Sequence, residues 1–273
     1  MITMKPITTG SFTFLLFAAI FFCGKTMAQQ TFTKLVWADE FSHKGLPDTS
    51  KWSYEVGNGC PALCGWGNNE KQYYTKSLQN ARVKKGKLVI ETRKEMVENS
   101  PYTSARLVTK NKGDWKYGRM EIKAKIPYGK GIWSALWMLP TEWKYGGWPK
   151  SGEIDIMENV GYLPDSLFGT IHTGAYNGMI GTQKSGSVFS KNLAGSFHVY
   201  AVEWTAEEVA FLMDNVKYHV FKNEHNGSNA WPFDQSFHLL LNIAVGGNWG
   251  GKYGVGDSIF PQKMEVDYVR VYQ

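Results

Sequence analysis

Met120-Glu121-Ile122-Lys123-Ala124-Lys125-Ile126, MEIKAKI, alternates apolar and charged side chains without a break. Successive side chains of a strand face opposite sides, so the pattern predicts a half-buried strand with one wet face. Further along, Val209, Phe211 and Met213 lead into Asp214-Asn215, and Val216, Tyr218 and Val220 follow. That reads as a hairpin with a two-residue turn, because Asp and Asn tolerate the positive φ such turns need. Leu239 to Val245 and Met264 to Tyr272 predict two more strands. Helix signals are scarce. About a dozen short strands, split by Gly, Asn, Asp and Pro, favour an all-β sandwich or jelly roll over an α/β fold.

The chain has 273 residues and a formal charge of +6. Residues 1–28 read as a signal peptide: Lys5 gives a positive start, Phe12 to Phe22 are mostly apolar, and Thr26-Met27-Ala28 resembles a cleavage site. Removing 28 of 273 residues leaves 245, enough for one large β domain, and the loss of Lys5 and Lys25 lowers the charge to +4. Residues 29–273 contain no repeat, linker or low-complexity tract, so we read one catalytic domain. The charge is mild. The densest basic stretch, Arg82 to Lys87, is broken by Val83 and Gly86 and reads as a solvated turn rather than a nucleic-acid patch. Cys60 and Cys64 could close a small loop in an oxidising compartment; the same spacing also permits a metal pair. The longest predicted loops are Gly45 to Ser50, Gly57 to Asn69, Tyr145 to Ser151 and Asn177 to Lys191, and long loops on a rigid sandwich are where sites usually lie.

The segment GEIDIMENV, Gly152 to Val160, puts Glu153, Asp155 and Glu158 into a strand-like run. Glu153 and Asp155 share a face while Ile154 and Ile156 point to a core. Strict alternation would put Met157 with the acids and Glu158 away from them. One extra residue, a β-bulge near Met157, restores Glu158 to the acidic face. The Glu153 and Glu158 Cα atoms would then lie about 13 Å apart. Side chains leaning together could close their carboxyls to about 5 Å, the spacing of a retaining glycosidase.

Other roles compete for three acids: a solvated strand face, a calcium site, or a structural ion-pair network. The neighbours weigh against the first. Trp133, Trp137, Trp143 and Trp148 fall within 16 residues just upstream, with Trp133 and Trp137 on one face of GIWSALWML. A lone Trp is usually core. A cluster beside acids suits a sugar platform, because pyranose rings stack on aromatic faces. Trp249 in GGNWGG is a further candidate on a Gly-rich loop.

At these residues the chain resembles a known family. GEIDIME matches the E-x-D-x-x-E signature of glycoside hydrolase family 16, the laminarinase and lichenase group. The resemblance continues in order through LVWADEF, WGNNEKQYYT, YGRMEIKAKIP, GIWSALWMLP, GTIHTGAYN, LNIAVGGNWGG and FPQKMEVDYVRVY. It implies a β-jelly-roll sandwich of two antiparallel sheets with a concave substrate cleft. It implies Glu153 as nucleophile, Glu158 as general acid/base and Asp155 as the residue that tunes the nucleophile. Asn68, Arg119, Trp133, Trp137, Trp148 and His172 would line the sugar subsites, with His172 hydrogen-bonding a sugar or Glu158. A structural calcium ion at Glu40, Gly86 and Asp267 follows from the same resemblance, partly through backbone oxygens. One departure stands out: Ser134 occupies a position where the family commonly has Pro.

The expected function is a secreted, retaining endo-β-glucanase acting on β-1,3-glucan (laminarin) and on mixed-linkage β-1,3-1,4-glucan. Its partner is then a β-glucan polysaccharide or oligosaccharide. No catalytic cofactor, no nucleic acid and no membrane after signal cleavage are expected, and the protein is read as a monomer. The alternatives are a non-catalytic β-glucan-binding lectin and a same-fold hydrolase of agarose or carrageenan.

Overall fold

The structure is a computed structural model that describes residues 1–4 and 32–273; the signal-peptide reading therefore lies outside the described residues. Phe32–Gln273 forms one compact unit. Ten of its strands are β1 (Leu35–Asp39), β3 (Gln72–Tyr74), β4 (Ala81–Val83), β5 (Leu88–Val97), β6 (Ser100–Ser104), β9 (Gly118–Lys125), β14 (Phe197–Trp204), β15 (Glu208–Met213), β16 (Val216–Lys222) and β18 (Gln262–Tyr272). They make one sheet in the order β16-β15-β14-β9-β18-β5-β6-β3, with β1 beside β18 and β4 beside β5. The other eight are β2 (Ser53–Tyr54), β7 (Arg106–Val108), β8 (Asp114–Trp115), β10 (Ile132–Pro140), β11 (Glu153–Val160), β12 (Ser166–His172), β13 (Lys184–Phe189) and β17 (Phe237–Val245). They run β13-β12-β11-β10-β17-β7-β2, with β8 against β17.

Alternation explains the packing. Met120, Ile122 and Ala124 of β9 are fully buried between the sheets, while Arg119, Glu121, Lys123 and Lys125 face outward. The opposing sheet contributes Leu136, Met138, Ile154, Ile156, Met157 and Leu241 to the same core. Each such side chain stabilises the sandwich by about 1.5–3 kcal/mol. The buried indoles also find partners: Trp52 Nε1 donates to Asp39 Oδ2 at 2.8 Å and Trp204 Nε1 to the Phe233 carbonyl at 3.0 Å. Asp214 (φ 49°) and Asn215 (φ 66°) form the expected tight turn between β15 and β16.

Two expectations need adjustment. The sheets are antiparallel except at β3 and β6, which pair in parallel. The β4–β5 excursion between them is long enough to return the chain in the same direction. The stretch from Asn177 to Lys191 is not wholly loop, because β13 runs through it. Its sequence, KSGSVF, lacks apolar alternation, and pairing with β12 holds it in place.

Candidate active site

β11 lies between β10 and β12, and its register slips where the acids need it to. Asp155 pairs with Thr170 and Glu158 with Phe168, so two residues of β11 oppose one of β12, an excess of one. Against β10, Leu136 opposes Met157 and Trp137 opposes Asp155, which places the bulge at Ile156-Met157. Both residues point into the core and are fully buried. Glu158 is thereby turned onto the outward face with Glu153 and Asp155.

Single ligand atoms of Glu153, Asp155 and His172 all lie within 4.8 Å of one another. Glu153 sits opposite His172 across the β11–β12 ladder. His172 Nε2 is 3.3 Å from Asp155 Oδ2 and 3.8 Å from Glu153 Oε1. The Gly178 amide donates to His172 Nδ1 at 3.2 Å. That bond uses the Nδ1 lone pair, so the ring hydrogen sits on Nε2, aimed at the acids. His172 thus faces Asp155 and Glu153; a sugar or Glu158 was the partner expected from sequence. Trp148 Nε1 donates to Glu153 Oε2 at 2.8 Å, and Trp133 Nε1 donates to Glu158 Oε1 at 3.0 Å.

These surroundings separate the acids electrostatically. Burial pushes the Asp155 carboxyl well above its ordinary range, and the charge and hydrogen bond of Glu153 push it further. Burial also raises Glu158, with the Asp155 charge next in importance. His172 and the Trp133 hydrogen bond pull Glu158 partly back. A carboxyl raised by burial beside a hydrogen-bonded, more accessible one is an arrangement suited to acid–base work on a polar bond.

A family description, Glycosyl hydrolases family 16, matches residues 68–270. The chain belongs to glycosyl hydrolase family 16. It is 52% identical to a beta-glucanase of Rhodothermus marinus, over 88% of this chain and 85% of that protein. A glucan endo-1,3-beta-glucosidase of Niallia circulans is 42% identical, over 88% of this chain and 38% of that longer protein. The X-ray structure of the Rhodothermus marinus laminarinase superposes with a TM-score of 0.85 at 52% identity, covering 88% of this chain and 97% of that one. As a member of family 16 the chain is a glycoside hydrolase, and its two-sheet fold is the family's jelly roll.

The family 16 site gathers most of the residues expected from sequence. Trp133 and Trp249 meet edge to face at 5.6 Å, and Phe168 closes on Trp249 at 5.1 Å. Asn68 stands beside them: its carbonyl accepts from the Asn248 amide at 2.7 Å, and Gly247 fits between that carbonyl and the Trp133 ring. Trp148 lies 5.8 Å from the His172 ring. Trp137 Nε1 donates to Asn242 Oδ1 at 2.7 Å. Arg119 is the exception. It belongs to β9 in the other sheet, where it binds Glu121 at 2.8 Å, Glu203 at 2.9 Å and Asn215 at 2.7 Å. Its place in an outward-facing strand was legible; which sheet that strand joins was not.

Other residues enter without having been singled out. The Arg106 guanidinium lies 4.5 Å from the Trp66 ring and 4.7 Å from Trp137, between the two. Glu55 neutralises it at 2.6 Å. Asn242 continues from Trp137 to the Tyr74 hydroxyl at 2.9 Å, and Gln72 Nε2 donates to Glu70 Oε2 at 2.6 Å. An arginine inside the apolar run Ala105–Val108 was the available signal, since a buried cation must be paired. The segment 57–69 carries the Cys60–Cys64 disulfide, so the pair left open by sequence is a bond.

The residues expected to hold calcium lie in the other sheet and its turns. Glu40 binds Arg270 through both oxygens, at 2.7 and 3.0 Å. Asp267 is the bulged residue of β18 and binds Lys123 at 2.8 Å and Lys87 at 3.7 Å. Gly86 occupies a left-handed turn at φ 70°. Side-chain cations pair with both carboxylates in this structure.

Proposed function

We propose that this glycoside hydrolase is an endo-acting β-1,3-glucanase that cleaves with retention and also cuts mixed-linkage β-1,3-1,4-glucan. One observation carries the mechanism: on one bulged strand, Glu158 is buried, which raises its carboxyl well above the ordinary range, while Glu153 accepts an indole hydrogen bond from Trp148. Glu153 attacks the anomeric carbon as Glu158 gives its proton to the leaving oxygen. Glu158, now ionised, takes a proton from water as that water displaces Glu153, and the configuration is retained. Asp155 shares a proton with Glu153, and the Nε2–H of His172 steadies the charge that moves between them. The substrate reading rests on relatives described as a laminarinase and a glucan endo-1,3-beta-glucosidase.

The test is a panel of laminarin, lichenan, agarose and carrageenan, with anomers and product sizes followed in time. Laminarin should yield β-anomers first and oligosaccharides of several sizes. Glu153→Ala should be inactive on laminarin and regain turnover with azide, releasing an α-glycosyl azide. An α-anomer as first product excludes the mechanism, and binding without cleavage would instead make the chain a lectin.

The working form is a secreted monomer, released by cleavage after Ala28. Mass spectrometry of the exported protein and its sedimentation check both statements. The same reading extends to a structural calcium ion at Glu40, Gly86 and Asp267, held partly through backbone oxygens. Binding the native state raises the melting temperature by mass action and leaves hydrolysis unchanged. A melting curve indifferent to calcium and chelator removes that site.

A further inference from the structure

On the sheet opposite the active site, the turn between β4 and β5 and the start of β18 enclose an open cavity of about 290 Å³. Arg82, Lys84, Lys85, Lys87 and Lys263 line it, together with Val89 and a single acid, Glu265. The sequence presents four of these cations as an ordinary turn. Only β18, arriving from the far end of the chain, adds Lys263 and makes the cluster.

Local carboxylates do not balance it. Glu91 is shared between Arg82 and Arg93, Asp267 between Lys87 and Lys123, and Glu265 between Lys125 and Lys263. Glu95 lies 4.0 Å from Arg93. Lys84 and Lys85 have no carboxylate partner among the described residues. Eight cations against four carboxylates leave an excess of four charges, most of the chain's +6. Such concentration raises the local density of anions.

Arg82, Val89, Glu265 and Lys125 are register neighbours on four adjacent strands, so the cations spread in a row across the sheet rather than meet at a point, which suits a polymer with repeated charges. The row offers no aromatic face for base stacking: the Phe197 ring is covered by Lys87, Lys123 and Lys125, at 5.7, 5.9 and 5.3 Å. We propose that this cavity binds the sulfate or carboxylate groups of an acidic polysaccharide. It holds the enzyme on a polyanionic matrix while the opposite sheet remains free to work on glucan.

Titration of the whole domain with dextran sulfate, polygalacturonate, neutral dextran and duplex DNA tests this. Dextran sulfate or polygalacturonate should bind at low salt, with affinity falling linearly on a log–log plot against salt, and the tighter of the two names the group recognised. Lys84→Glu with Lys263→Glu should weaken that binding by about tenfold or more. Laminarin hydrolysis and melting temperature should not change, which separates this site from the catalytic reading. Equal binding of neutral dextran, an unaffected double variant, or DNA bound more tightly than both polysaccharides would each overturn the proposal.

Discussion

Glu158 accepts a hydrogen bond from Trp133, and that bond works against its burial. Trp133→Phe keeps a stacking ring and deletes the donor. The alkaline limb of the kcat/KM profile, which follows loss of the Glu158 proton, should then move to higher pH; a limb that stays or moves down would place the acid elsewhere. Burying Asp155 and Glu158 also has a structural cost. Their folded pKa values lie above the unfolded ones, so the stability they contribute is present below about pH 4 and is lost as pH rises through the folded values. Glu158→Gln should therefore raise the melting temperature at pH 7, lose that advantage near pH 4, and abolish activity on laminarin. An equal effect at both pH values would deny that ionisation is the source. This is the trade of stability for function expected where an active site holds strained or destabilised groups.

At the scale of the element, β11 depends on its bulge. Ile156 and Met157 both enter the core, so Glu158 returns to the face of Glu153. Deleting Met157 restores plain alternation with Glu158 still on the outward face, but it removes a buried core side chain and shortens the path from Glu153 to Glu158 by one strand step, about 3.3 Å, so the two carboxyls lose their spacing. The deletion should lower the melting temperature steeply and leave no measurable hydrolysis. Met157→Leu, a near-isosteric change, should cost less than about 1.5 kcal/mol and retain activity. A deletion variant that melts and cuts like the parent would mean that the bulge does not set the spacing of Glu153 and Glu158. The bulge was legible beforehand because Asp155 and Glu158 are three positions apart, an odd spacing that cannot put both on one face of a regular strand. β13 was not legible, because its residues follow no apolar period and only the β12 ladder orders them.

At the scale of the molecule, β18 lies between β9 and β5, and β1 closes beside it with Leu35 opposite Tyr272. The sheet is therefore incomplete until both ends of the domain have met. His238, on β17 opposite Asp114, is sealed in this assembly. Burial, aided by Lys110 and Arg106, lowers its pKa to about 4. The folded form is neutral and the unfolded form titrates near 6.5, so stability from this residue is present above about pH 6.5 and is lost as pH falls to about 4. The full loss is about 3 kcal/mol. His238→Asn should flatten the fall in melting temperature between those limits; an unchanged slope would assign acid sensitivity to other groups.

The sequence by itself determined the strands that alternate, the side on which their residues lie, the bulge near Met157, and the family to which GEIDIME belongs. All of these follow from local periodicity or from an uninterrupted motif. Only the tertiary structure decided which outward face belonged to which sheet. Arg119 and Trp133 sit in equally convincing alternations, yet β9 joins one sheet and β10 the other. It also seated Arg106 between Trp66 and Trp137, aimed His172 at Asp155, and brought Lys263 beside the Arg82–Lys87 turn. The physical reason is common to all four. Alternation fixes the side of a strand on which a side chain lies, while its partners depend on pairings between strands far apart in the chain.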